Sequence, residues 1–124
     1  MFFIDVNKTI HLTRGDIAVI QVGAMNGENI HTFSAGDIIR LNVFEKKQPD
    51  SIVLQKEVTA GDGVETVDIS LSRNDTKIGE LISKPVEYWY EIELNPDTMP
   101  QTLIGYDNNG PKIFRLYPEG DDSK

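Results

Sequence analysis

The chain has no cysteine. Disulfides, thiolate metal sites and cysteine nucleophiles are therefore excluded, and a cytosolic birthplace is the expectation. Histidine is nearly absent, with only His11 and His31, and neither has a partner at the local spacing of a zinc site. Both are expected at solvated positions, His11 on the polar face of a strand and His31 in a loop. No apolar run approaches the roughly 20 residues that span a bilayer. The apolar start Met1–Val6 has no basic region and is interrupted by Asp5, so it does not read as a signal peptide. Positive charge is scarce as well: 12 Lys and Arg face 20 Asp and Glu, a formal net charge of −8. That balance argues against nucleic acid and against an anionic membrane surface as partners. It favours solubility and cationic partners.

What is present is a series of short strand-like segments in 124 residues, the length of one domain. Thr9–Thr13 places Ile10 and Leu12 on one side, and Ile17–Val22 is a nearly continuous apolar run. Ile38–Phe44 aligns Ile39, Leu41 and Val43, and Ile52–Val58 aligns Ile52, Leu54 and Val58. Glu65–Leu71 alternates cleanly, with Val67, Ile69 and Leu71 inward and Thr66, Asp68 and Ser70 outward. Val86–Leu94, Thr102–Tyr106 and Lys112–Tyr117 complete the series. Three turns share a hydroxyl-x-Gly-Asp pattern, at Thr13–Asp16, Ser34–Asp37 and Thr59–Asp62. Glycine supplies the positive φ and Asp bonds its own downstream backbone. Asn108-Asn109-Gly110 reads as a hairpin turn and Asn95–Pro100 as a longer hairpin loop.

Residues 74–82 break the rhythm, with Ile78, Leu81 and Ile82 at helical spacing. Asn74 or Asp75 is the expected N-cap, and Gly79 and Pro85 limit the helix to one or two turns. These features predict an all-β fold: an antiparallel, immunoglobulin-like β-sandwich over 1–117, with one short helix near 74–82 that carries the chain between sheets. Tyr88 or Tyr90 is expected to bond backbone near that helix, as a tyrosine corner does. Residues 118–124 (PEGDDSK) form a frayed acidic tail.

The segment VEYWYEIEL poses the functional question. Val86, Tyr88, Tyr90, Ile92 and Leu94 share one face, and Glu87, Trp89, Glu91 and Glu93 share the other. The only tryptophan thus sits outward among three glutamates. That composition suits an interface anchor or a sugar-stacking platform. The competing reading covers Trp89 with the aliphatic stems of Arg40 or Lys56. Phe44 and Arg40 also face outward on their strand, so Trp89, Phe44 and Arg40 are the candidate protein-contact patch. Glu91 and Glu93 lie about 7 Å apart along a strand, which a carboxylate pair for glycoside hydrolysis would tolerate, but any acidic strand face meets that test. No nucleophile triad, phosphate-cradling loop or nucleotide fingerprint is present, so no catalytic residue, cofactor or metal site is assigned. Asp107–Gly110 has glycine in the fourth position rather than the sixth of a calcium loop. Arg14-Gly15-Asp16 is read as a turn rather than as an adhesion tripeptide.

Three stretches carry a family resemblance: Phe33–Val43 (FSAGDIIRLNV), Leu71–Ile82 with its short helix, and Val86–Leu94 followed by a Pro-containing hairpin. This order resembles the immunoglobulin-like N-terminal domain of baseplate upper proteins, from tailed phages of Gram-positive bacteria. The resemblance implies a non-enzymatic structural or assembly role in a phage or prophage tail or baseplate. It implies tail or baseplate proteins as partners, a homo-oligomer, often a trimer in that family, and a virion component made in the bacterial cytoplasm. The long extension of that family is not in this sequence, so a free-standing adaptor or a phage structural accessory is the expectation. The alternative function is a carbohydrate-binding module using Trp89, Tyr106 and Tyr117.

Overall fold

The computed structural model describes residues 1–26, 29–46, 48–80 and 82–119. Among the described residues ten strands and one helical turn are formed: β1 Phe2–Ile4, β2 Ile10–Thr13, β3 Ala18–Asn26, β4 Asn29–His31, β5 Ile38–Glu45, β6 Gln48–Thr59, β7 Thr66–Leu71, α1 Arg73–Thr76, β8 Val86–Leu94, β9 Gln101–Ile104 and β10 Lys112–Tyr117. The fold is all-β. A seven-stranded sheet runs β1-β2-β10-β8-β5-β6, with β9 also on β8, and a three-stranded sheet runs β4-β3-β7. Every pair is antiparallel except β2 with β10, which is parallel.

Both sheets share one core, because the period-2 alternation points the same kind of residue inward on each. Ile20, Val22, Ile69 and Leu71 come from the small sheet, and Ile39, Leu41, Ile92, Phe114 and Leu116 from the large one. The alternation in β5, β7 and β8 is as expected. At β3 it leaves Val19, and Ile17 just before the strand, exposed beside buried Ala18 and Ile20, so the continuous apolar run is buried on one face alone. In β6 the expected alignment of Ile52 with Leu54 fails. Phe44 pairs Ile52 and Val43 pairs Leu54, so Val53 is an extra residue, a bulge that turns Ile52 outward.

The helix is one turn, as short as expected, but it lies at the start of the expected segment and does not reach Ile78. Its N-cap is Ser72, not Asn74 or Asp75: the Asp75 N–H donates to the Ser72 hydroxyl at 3.2 Å and the Ser72 N–H donates to the Asp75 carboxylate at 2.8 Å. This capping box stops the strand and starts the turn. Its C-cap is Lys77, Gly79 follows at φ 68°, and Leu81 lies outside the described residues. The turn does carry the chain from β7 in the small sheet to β8 in the large one.

Two histidine expectations also change. His11 is buried: Phe3 of β1 stacks on its ring at 4.3 Å, Nδ1 lies 2.8 Å from the Tyr117 hydroxyl and Nε2 lies 2.8 Å from the Asp5 carboxylate. The strand rhythm gave its direction correctly, but β1 folds back to cover it. His31 lies in β4, half-buried, edge-on to Phe33. The Arg14-Gly15-Asp16 turn has φ 86° at Gly15. Arg14 is buried there, donating to the carbonyls of Ile78 at 3.2 Å and Gly79 at 2.9 Å and pairing with Glu119 at 3.1 Å. Pro118 and Glu119, read from the sequence as the start of the tail, are thus half-buried, and residues 120–124 lie outside the described residues.

Candidate functional site

The outward face of the large sheet is where Trp89 lies, and strand register decides what surrounds it. Trp89 pairs Ile113 of β10 on one side and Phe44 of β5 on the other, and Phe44 pairs Ile52 of β6. Directly opposed residues share a face, so Ile113, Trp89, Phe44 and Ile52 make one apolar row across four adjacent strands. The Phe44 and Trp89 rings meet edge to face at 6.4 Å. Both are half-buried, and Ile52 is 50% exposed.

Polar rows flank it. On one side Glu87 accepts from Arg115 and from Lys46, at 3.4 Å for the lysine, and these cations hold its carboxyl below the usual range, Arg115 foremost. On the other side Gln55 donates to Asn42 at 2.8 Å, and the Asn42 amide donates to Glu93 at 3.0 Å and to Glu91 at 3.4 Å. Burial, and then the neighbouring Glu91 charge, push the Glu93 carboxyl above its usual range. Arg40 stands one row further out, donating to Glu57 at 2.9 Å and forking onto Asp97 at 2.8 and 3.3 Å. These hydrogen bonds, Asp97 first, push its guanidinium pKa up.

The structure therefore brings together Trp89 and Phe44, and it separates Arg40 from them. Four residue steps along β5, roughly 13 Å of strand, separate Arg40 from Phe44, and Asn42 fills the interval on that face. Neither proposed stem covers Trp89: Arg40 is held by its carboxylates, and Lys56 pairs Asp75 of α1 at 3.0 Å. Sequence reasoning missed Ile113 and Ile52. Ile113 was legible, since it alternates with Phe114 and Leu116; Ile52 was hidden by the bulge.

A second feature lies beside the row. β9 pairs β8 as far as Ile92 and β10 pairs it from Tyr90, so the two strands lie along one edge of β8 with a break at Glu91. Residues 105–111 leave the sheet there, closed by the two-residue turn in which Asp107 and Gly110 exchange backbone hydrogen bonds at 3.1 and 2.9 Å. Gly105 allows the departure: a Cβ there would stand 2.6 Å from the Thr102 methyl. The excursion hangs Tyr106, 76% exposed, over a cavity of about 160 Å³ lined by Phe44, Trp89, Glu91, Tyr106, Pro111 and Lys112. Tyr117, by contrast, is engaged with His11. Among the described residues no group of three or more His, Asp or Glu side chains is placed to hold a metal ion, and no helix is long and apolar enough to cross a membrane.

The chain was compared with models of protein families, with curated proteins and with solved structures, and none of the three comparisons gave a match.

Proposed function

We propose that the chain is a non-enzymatic structural or assembly domain of a phage or prophage tail or baseplate, immunoglobulin-like in form, acting through protein–protein contacts of its large sheet. The observation that carries the contact reading is the apolar row Ile113–Trp89–Phe44–Ile52, crossing four strands and bordered by ion-paired and hydrogen-bonded rows. An aromatic centre with a polar rim is the usual anatomy of a contact surface. Support for the immunoglobulin-like form comes from the connections. β3 and β7 occupy one sheet and β5, β8 and β10 the other, as strands B and E face C, F and G in that fold, and the helical turn lies on the crossing from β7 to β8. The phage attribution rests on the resemblance of Phe33–Val43, Leu71–Ile82 and Val86–Leu94. The partners are tail or baseplate proteins, with a homo-oligomer as the form of assembly.

Light scattering of the purified chain tests this, alone and mixed with the proteins encoded beside it, before and after Trp89→Ala. A self-assembled or mixed complex in the parent that is lost in a folded Trp89→Ala variant is the expected result. Equal masses for both proteins, with and without partners, would remove the surface. Adjacent genes unrelated to tails, baseplates or lysis would remove the phage attribution.

One observation favours the second reading, a carbohydrate-binding module. Tyr106 and Trp89 line one cavity, and two aromatic planes around a cleft suit the stacking of a sugar ring. A glycan array decides it: saturable binding abolished by Tyr106→Ala supports the module, and an array without binding excludes it.

A further inference from the structure

We infer that the cavity between Trp89, Phe44 and Tyr106 is an aromatic cage for an organic cation, the alkylammonium or guanidinium head of a partner's basic side chain, with Glu91 as its counter-charge. The cavity has the form such a head requires. Three rings and Pro111 supply its apolar walls, and Glu91, the residue of β8 between the β9 and β10 pairings, lines it as well. Ring faces attract a cation through their quadrupole, Trp most strongly, and more so where water is displaced. The volume, about 160 Å³, is of the size of a head group with its first methylenes and is well below that of a drug-sized pocket.

The charges point the same way. Among the described residues Glu91 forms no ion pair, and the Asn42 amide that donates to it at 3.4 Å lies closer to Glu93. Glu91 also crowds Glu93, whose carboxyl is pushed up by burial and by that neighbour. An arriving cation relieves the crowding. The one cation lining the cavity does not occupy this role: Lys112 is buried and its ammonium pairs Asp107 at 2.7 Å. The net charge of −8 draws cations toward the surface as a whole.

The cage belongs to the face proposed for assembly, and assigning the cation to a protein partner rests on that reading. The test separates the two. Trp89 is the only tryptophan, so fluorescence of the full chain reports the cage directly. Choline chloride is titrated against its uncharged isostere 3,3-dimethylbutan-1-ol and against sodium chloride of equal ionic strength. A peptide with one central arginine is titrated against the same peptide carrying citrulline. The expected result is a saturable response to choline and to the arginine peptide. It should weaken about tenfold in the uncharged isosteres, a difference of the size a desolvated cation–π contact supplies. Glu91→Gln, which keeps the shape, and Tyr106→Ala each reduce it in protein whose circular dichroism is unchanged. Equal response to charged and uncharged probes, no saturable response, or indifference to Glu91→Gln would overturn the cage, as would tighter binding of a neutral methyl glycoside. Choline binding with no response to the arginine peptide overturns the protein source and leaves the cage. A Trp89-dependent complex in light scattering without any cation response overturns the cage and leaves the assembly.

Discussion

Glu93 is the residue whose environment makes the sharpest stability prediction. Its carboxyl is pushed up by burial and by Glu91. A carboxyl raised in the folded state contributes full stability below its unfolded value, and that stability is lost as pH rises through the folded value. Ionised Glu93 is therefore a penalty near neutral pH and none in acid. Glu93→Gln keeps the acceptor for Asn42 and removes the charge. Thermal unfolding should show a higher midpoint for the variant at about pH 7 and no gain at about pH 3.5; a gain of equal size at both would show that the effect is packing rather than ionisation. Tyr90 is shifted in the same direction, and its hydrogen bond rather than its charge is what matters near neutral pH. Burial pushes its phenol up, and its hydroxyl donates to the Lys8 carbonyl. Tyr90→Phe should cost about 1 kcal/mol in urea unfolding. The sequence led to the expectation of a backbone bond from this tyrosine near the helical turn. The bond is instead to the β1–β2 turn, a pairing across 82 positions that no local pattern encodes. His11 is a similar case: alternation gave its direction, but the stacking of Phe3 depends on a three-residue strand with no sequence signature of its own.

At the level of elements, the strands with one buried face were legible and the irregular ones were not. The bounds of β8 and β10 match the expected segments because alternation ends where turn residues begin. β4 was missed because three residues hold too little pattern, and the bulge in β6 because one inserted residue inverts everything before it. The helical turn was misplaced because Ile78, Leu81 and Ile82 offered helical spacing, while the stronger signal was the Ser72-x-x-Asp75 box just after β7. Ser72→Ala should cost about 1 kcal/mol, read as a shift in the urea midpoint without change in its slope; no shift would show that the cap is dispensable. Gly15→Ala should cost more. Its φ is 86° and a Cβ would stand 2.8 Å from the Glu119 carboxylate that binds Arg14. Of the site, Trp89 and Phe44 were legible from period 2, whereas Arg40 was grouped with them only because the alternation ignores the four-residue interval. The cage could not be read at all, since it depends on β9 and β10 lying along one edge of β8 with a break between them.

For the molecule as a whole, charge sets the pH response. Asp5, Asp37, Asp75, Glu87 and Asp107 are held below their ordinary values, chiefly by hydrogen bonds from His11, the Ser34 backbone, the Ser72 backbone, Arg115 and Lys112 respectively. Depressed carboxyls contribute stability above their unfolded value that is lost as pH falls through the folded one. Stability should therefore fall below about pH 4, and added salt should weaken the surface pairs while leaving the core intact. The central claim is that the Trp89 face is covered in an assembly of tail or baseplate proteins. Oxidative footprinting of the chain, free and in complex with those proteins, tests it most directly. The account predicts that Trp89, Phe44 and Tyr106 are oxidised in the free chain and protected in the complex, while Ile17 and Val19 on the other sheet are equally oxidised in both. Protection of Ile17 and Val19 with Trp89 and Phe44 still reactive would contradict it.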